Sequence, residues 1–391
     1  MTESKYVRSI SSASYDPLKG KCRVLSRIDI ELTERCNNRC THCLINRSED
    51  DTDSQDREMD TRFALDVLKQ AADLGCMSVR FTGGEPLLRK DFSELYLAAR
   101  RLGMRVLLFT NARLITPEIA DLFIRVPPGE VMEISVYGMN AWSYDAVAGV
   151  KGAFEQFRRG VNILLDRGIP FYVKQALLPQ NRHEIEEFEA WATTLPWMTS
   201  PPEYAVNFDL RTRRDSAEKN KRISSLRFTP EETVALSLRD PEHLAELREF
   251  CSRFLGPQGD RLFSCGAGLS PCIDSYGTAQ MCLLLRHPQT VIDLRNASLA
   301  HVMVDLFPLL RGKKASNPEY LRRCANCFLK GLCEQCPAKS WTEHGSLDTP
   351  VEYLCDVAHA QARSLGLIAE HERAWEIADW HHRVDRFSRG T

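Results

Sequence analysis

Three cysteines sit in one short run, Glu34-Arg-Cys36-Asn-Asn-Arg-Cys40-Thr-His-Cys43. A four-iron cluster takes four thiolates, one per iron, so a C-x3-C-x2-C loop leaves one iron without a protein ligand. An open metal position is where a small molecule binds and chemistry starts, by the logic that separates catalytic from structural zinc sites. Cys36 and Cys40, or Cys40 and Cys43, could share a helix face, yet three thiolates converging on one compact group fit a wrapping loop better. Two plainer readings compete: a zinc site with His42 as fourth ligand, and buried thiols without a metal. Zinc frameworks come as two pairs of cysteines, and His42 adjoins Cys43, which makes joint tetrahedral ligation awkward.

Eight more cysteines follow residue 264: Cys265, Cys272, Cys282, Cys324, Cys327, Cys333, Cys336 and Cys355. Eight thiolates suffice for two fully ligated four-iron clusters, and two zinc sites would use the same number. Cys324-x2-Cys327-x5-Cys333-x2-Cys336 is the strongest metal signature in this half, and Gly277 suits a hairpin turn ahead of Cys282. Cys22, Cys76 and Cys251 read as buried structural thiols.

The elements that must position these residues alternate in period. Ile28–Leu32, Ser78–Thr82, Arg105–Thr110, Val131–Val136, Pro170–Leu177 and Tyr204–Leu210 read as buried strands. Between them, 61–74 has one apolar face, Asp91-Phe-Ser-Glu94 resembles a capping box, and Thr116-Pro117 marks a helix start. Gly75, Gly103 and Gly168 mark helix ends. Six strand–helix units imply an α/β fold, a partial or complete barrel with functional residues at the carboxyl ends of its strands. Cys36–Cys43 follows the first strand, Gly83-Gly84-Glu85-Pro86 the second and Asn111 the third, while Ser135 and Tyr137 end the fourth. All fall on one rim.

The chain's 391 residues suit two or three domains. The reading divides it into an N-terminal extension (1–26), the barrel (27–215), bridging helices (216–258) and a cysteine-rich domain (259–391). Arg211–Ser225, with six basic and two acidic residues, reads as a solvated linker or bridge, and Ser48–Asp56 as a solvated acidic loop. Helical stretches are expected near 230–255 and 356–375, and His381-His382 as a solvated helix end. A net charge of −2 points to neither nucleic acid nor an anionic membrane surface. The N-terminus lacks the apolar core of a signal peptide and no stretch reads as a membrane span. Fourteen cysteines without an export signal suit a reducing compartment, so the expected location is cytoplasmic.

The cysteine triad together with Gly83-Gly84-Glu85-Pro86 resembles the radical S-adenosylmethionine superfamily, and the cysteine-rich tail resembles its SPASM/twitch subfamily of peptide-modifying maturases. The resemblance implies a partial (β/α)6 barrel of TIM type with a C-terminal SPASM domain. It implies a [4Fe–4S] cluster on Cys36, Cys40 and Cys43 that binds S-adenosyl-L-methionine and, once reduced, cleaves it to a 5′-deoxyadenosyl radical. Gly83, Gly84, Glu85, Pro86, Asn111, Ser135 and His42 are the implied contacts to that molecule. Two auxiliary [4Fe–4S] clusters follow by the same analogy, one on Cys265, Cys272, Cys282 and Cys336, the other on Cys324, Cys327, Cys333 and Cys355. One departure from the family pattern is the two-residue, not three-residue, separation of Cys333 and Cys336.

The implied substrate is a ribosomally made precursor peptide. Only 35 residues precede Cys36, so a separate small leader-binding protein is expected, with a flavodoxin or ferredoxin as electron donor. Alternatives are an enzyme modifying a heme-type tetrapyrrole and a sulfatase-maturing formylglycine enzyme. Leu283 after Cys282, where that last group carries an acidic residue, argues against it. A non-catalytic metal-binding module is a further alternative, countered by the intact triad and Gly-Gly-Glu-Pro run. Tyr137 and Asp209, with Lys174, are the candidate bases at the barrel mouth.

Overall fold

The computed structural model describes residues 25–239 and 241–388; the expected N-terminal extension, with Cys22, lies almost wholly outside them. Six parallel strands, β1 (Arg27–Thr33), β2 (Ser78–Gly83), β3 (Arg105–Thr110), β4 (Met132–Val136), β5 (Phe171–Ala176) and β6 (Glu203–Ala205), pair in chain order. Helices α1 (Thr61–Asp73), α2 (Phe92–Arg101), α3 (Pro117–Arg125), α4 (Ala141–Ala148), α5 (Ala153–Asp166) and α6 (Ile185–Ala192) lie between or beside them. The result is an open (β/α)6 barrel. Strand period sorts the faces: Ile28, Ile30 and Leu32 join the apolar core, while Asp29, Glu31 and Thr33 take the opposite face of β1.

The cysteine-rich half is built onto this sheet. β7 (Cys272–Ile273) pairs in parallel with the free edge of β1, and β8 (Thr278–Gln280) and β9 (Ile292–Asp293) continue antiparallel. One nine-stranded sheet, ordered β9-β8-β7-β1-β2-β3-β4-β5-β6, therefore runs through both halves. Gly277 turns the β7–β8 hairpin at φ +83°, a conformation that favours glycine, and the Asp274 carboxylate caps the turn by accepting from Tyr276 N and Thr278 N.

Several local expectations change. Asp91 forms no capping box; its carboxylate instead takes Arg89 and the Thr61 hydroxyl. Thr116 does cap α3, accepting from Ile119 N at 3.3 Å with Pro117 in the first turn. The sixth strand pairs only over Glu203–Ala205. The 230–255 stretch is two helices, Pro230–Ser237 and Pro241–Phe254, each with proline in its first turn, where no N–H is needed. The 356–375 helix is Glu352–Ser364, stopped before Gly366 at φ +72°. The acidic loop contains a short helix, Thr52–Arg57, capped by Asp51. Arg211–Ser225 is a bridge with a buried start, Arg211 and Thr212, leading into the largely exposed helix Ala217–Leu226.

Candidate functional site

The triad loop leaves β1 and turns back under cover. Cys36 and Cys40 are buried and Cys43 is half-buried. Asn38 N donates to Cys36 Sγ at 3.4 Å, and Asn111 Nδ2 lies 3.8 Å from the same sulfur while donating to Asn37 Oδ1 at 2.7 Å. The Tyr137 hydroxyl hydrogen-bonds Cys40. Burial pushes the Cys40 thiol up to about 12 and raises Cys36 well above its ordinary value, so a bound cation must favour the thiolates. Arg113 pins the loop through Asn37 O and Asn38 Oδ1, and its other nitrogens grip Gln156 Oε1. Around the thiols, Asn37 Nδ2, Asn38 Nδ2, His42 Nδ1 and the Tyr144 hydroxyl are buried with no partner. Buried polar atoms normally find partners, and sulfur-rich clusters accept hydrogen bonds, so this lining fits an iron–sulfur cluster. Among the described residues no group of three or more His, Cys, Asp or Glu is placed to hold a single metal ion; a four-iron cluster takes each thiolate on a different iron and suits a wider set.

Gly83 and Gly84 lie directly on the triad loop. Gly84 N donates to Thr33 O at 2.7 Å and Glu85 N to Arg35 O at 2.9 Å. A Cβ on Gly83 would strike the Thr33 carbonyl, and one on Gly84 the Arg35 carbonyl. Glu85, wholly buried, accepts from Asn111 N at 2.8 Å, Thr110 Oγ1 at 2.9 Å and Leu87 N at 3.2 Å, and burial lifts its pKa to about 7. Pro86 begins a short 3₁₀ turn, Pro86–Leu88, that follows. Asn111 is thus bound to Glu85 through its backbone and to the triad loop through its side chain. The next residue, Ala112, has φ +61°, a strained value for a residue with a Cβ.

The remaining candidates spread along the same barrel end. Ser135 is in register with Lys174 on β5. Lys174 is held by Glu133 at 2.8 Å and Glu203 at 2.9 Å, and its pKa is raised. His42 packs against Tyr137 and Phe208, and burial drops its pKa to about 4, leaving a neutral ring. Burial raises Tyr137 well above the usual phenol range. Asp209 sits beside Cys336 and pairs with Lys339 at 3.3 Å; burial raises its pKa.

In the second half, Cys324, Cys327, Cys333 and Cys355 line one cavity. Cys282 feels the charges of Cys336 and Cys265. Cys272, on β7 in register with Asp29, is wholly buried, with Glu31, Asp29, Arg286 and Asp274 as its main charged neighbours.

A buried ionic web joins the two halves of the sheet beside the site. Arg286 grips Glu31 at 2.6 and 2.7 Å and also pairs with Glu34; Arg213 joins Glu34 and Asp274, each at 2.8 Å; and Tyr276 donates to Glu34 at 2.9 Å. This buried ionic web ties β1, the start of the triad loop, the 211–215 bridge and the β7–β8 hairpin together. Its one trace in the sequence is the acidic Glu31 between apolar residues Ile30 and Leu32 of β1.

The Radical SAM superfamily model matches residues 30–192. The chain is 36% identical over 157 residues to the AdoMet-dependent heme synthase of Nitratidesulfovibrio vulgaris, covering 40% of this chain and 42% of that protein. It is 31% identical over 177 residues to the PqqA peptide cyclase of Xanthomonas euvesicatoria pv. vesicatoria, covering 45% and 46%. These matches span less than half of either relative. The structure of native anSMEcpe with bound AdoMet aligns at a TM-score of 0.61 and 13% identity over 93% of this chain and 99% of that one, which establishes a shared fold. Residues 30–192 therefore match a radical SAM domain, and the fold shared with the anSMEcpe structure extends through the cysteine-rich second half.

Proposed function

We propose that this chain is a radical SAM enzyme that modifies a ribosomally made precursor peptide. The observation that carries the reading is the buried triad loop, with unpartnered donors around its thiols and Gly83–Glu85 hydrogen-bonded along its backbone. Cys36, Cys40 and Cys43 hold a [4Fe–4S] cluster, and Gly83, Gly84, Glu85, Pro86, Asn111, Ser135 and His42 hold S-adenosyl-L-methionine. Cys265, Cys272, Cys282 and Cys336 hold one auxiliary cluster, and Cys324, Cys327, Cys333 and Cys355 the other. When bound, the reduced cluster and its ligand supply a 5′-deoxyadenosyl radical that takes a hydrogen atom from an unactivated C–H bond.

The chain's own residues do the rest. Glu85 locks the ends of β2 and β3 together, Tyr137 orients the Cys40 sulfur, and the covered loop excludes water. Asp209, its carboxyl made more basic by burial and paired with Lys339, is the candidate base on the Cys336 side, with Tyr137 the other.

Similarity to the PqqA peptide cyclase supports a peptide substrate. Expected partners are a separate leader-binding protein and a flavodoxin- or ferredoxin-type donor, in the cytoplasm. Among the described residues no helix is long and apolar enough to cross a membrane. Similarity to a heme synthase favours a second reading, oxidation of a tetrapyrrole.

Anaerobic reconstitution tests both. Three clusters predict about 12 iron atoms per chain, with 5′-deoxyadenosine formed under reducing conditions. Bound zinc in place of iron, or no 5′-deoxyadenosine, rules the proposal out. A mass change in a precursor peptide encoded nearby supports the first substrate, and a spectral change in an added iron tetrapyrrole the second.

A further inference from the structure

The cavity of Cys324, Cys327, Cys333 and Cys355 is also walled by Arg323, Lys330, His359 and Trp375, with no carboxylate among its lining residues. His359 is buried one helical turn beyond Cys355 in the helix Glu352–Ser364. Its Nε2 accepts from Ala374 N at 3.2 Å, which places the ring proton on Nδ1. That Nδ1 lies 2.8 Å from the Cys355 carbonyl oxygen and 3.5 Å from Cys355 Sγ. Arg323 approaches the same sulfur, with Nη2 at 3.5 Å. The guanidinium is fixed from two other sides, by Glu352 at 2.7 and 2.8 Å and by the Trp375 ring 4.8 Å away. The single Nδ1 proton is therefore shared, with the carbonyl oxygen as its nearer acceptor and the thiol as its farther one, and Arg323 brings a second N–H to the same sulfur.

We propose that His359 and Arg323 tune the second auxiliary cluster, donating N–H···S hydrogen bonds to Cys355 and so raising its reduction potential. The inference rests on the reading that these four cysteines hold a four-iron cluster. Reduction adds one electron, and part of that charge falls on the ligating sulfurs. N–H dipoles and a fixed cation stabilise the more negative state, and more strongly in a poorly solvated site. Lys330 adds a second cation to the wall, while Glu352, the partner of Arg323, is 65% exposed at its side chain and screened by water. His359 and Arg323 are positioning residues, acting through Cys355.

The test is an EPR-monitored redox titration of the reconstituted full-length chain beside His359→Leu, His359→Asn, Arg323→Met and Arg323→Lys. His359→Leu and Arg323→Met are expected to move one auxiliary potential to more negative values with iron content unchanged. His359→Asn, whose amide N–H falls near Nδ1, and Arg323→Lys, which keeps the charge, are expected to stay near the parent value. Unchanged potentials in His359→Leu and Arg323→Met with all clusters present would overturn the proposal. So would loss of about four iron atoms in His359→Asn as well as His359→Leu, because the role would then be packing alone. If the unmodified chain binds only about eight iron atoms and loses none on replacement of Cys333, the cluster reading itself fails, and that result precedes any variant of His359 or Arg323.

Discussion

The two cysteine regions are built on opposite plans. The triad at the end of β1 is packed into the barrel: backbone hydrogen bonds run from Gly84 and Glu85 to Thr33 and Arg35, and the wholly buried Glu85 carboxylate lies near Cys36. The C-terminal set lines a cavity whose charged wall residues are the cations Arg323 and Lys330. An anionic neighbour favours the oxidised form of a cluster and a cationic one the reduced form. The difference teaches that one cysteine set is locked into the barrel by backbone and buried carboxylate contacts, while the other lines a separate cavity bordered by cations; if both hold clusters as proposed, their potentials should differ.

The sharpest way to break that contrast is to remove each set in turn. Replacing Cys36, Cys40 and Cys43 by alanine is expected to abolish 5′-deoxyadenosine and to remove about four iron atoms. Replacing Cys324, Cys327, Cys333 and Cys355 should remove a similar amount of iron yet leave 5′-deoxyadenosine formation in place, with substrate turnover lost. Equal loss of 5′-deoxyadenosine in both variants would mean that the two sites act as one.

The next largest effect separates the ion pairs of the two regions. Arg286 and both its carboxylate partners are at most 2% exposed at their side chains. Arg286→Met leaves Glu31 and Glu34 buried without that charge, which costs about 3–5 kcal/mol when one partner of a buried pair is removed. Chemical denaturation of the cluster-free chain measures it. A cost below about 1 kcal/mol, the value of an exposed pair, would show that Arg213 and Tyr276 alone satisfy Glu34 and that the web does not hold the hairpin to the barrel.

These contrasts also explain what was readable in advance. The triad, the Gly-Gly-Glu-Pro run and the edges of the first five strands were legible, to within a residue or so, because each is local: Arg105–Thr110 matches its strand to the residue, and Thr116-Pro117 its helix start, whereas the sixth strand, expected over Tyr204–Leu210, pairs only over Glu203–Ala205. The resemblance to a known family supplied the grouping of the later cysteines, which spacing alone did not. Arg286 meets Glu34 across 252 positions and Arg213 meets it across 179, so no window of sequence contains either pair. The buried start of Arg211–Ser225 escaped for the same reason: the carboxylates of Arg211 and Arg213 lie at Asp215, at Glu34 just after β1 and at Asp274 in the β7–β8 hairpin.

A smaller effect is specific to the barrel side and depends on pH. Burial raises the Glu85 pKa from 4.5 to about 7 in the folded chain. The folded state then holds this proton more tightly than the unfolded one, so its contribution to stability is full below pH 4.5 and is lost as the pH rises to about 7. Glu85→Gln should flatten that fall in the cluster-free chain. A pH profile identical to the parent's would mean that the three donors to Glu85 keep it ionised throughout.

The smallest expected effect belongs to the cavity side and sharpens the comparison from the opposite direction. Glu352 makes a two-pronged pair with Arg323 that looks, by geometry, as strong as the pair between Glu31 and Arg286. Exposure separates them: the Glu352 side chain is 65% exposed and that of Glu31 is 2%. Water already solvates Glu352, so Glu352→Gln should change stability by no more than about 1 kcal/mol. Its consequence lies elsewhere. Removing the counter-charge leaves the Arg323 cation uncompensated beside Cys355, so the auxiliary potential should rise, opposite in sign to Arg323→Met. A fall in potential, or a stability loss comparable to that of Arg286→Met, would place Glu352 among the structural supports of the cavity and would erase the distinction drawn between the two ion pairs.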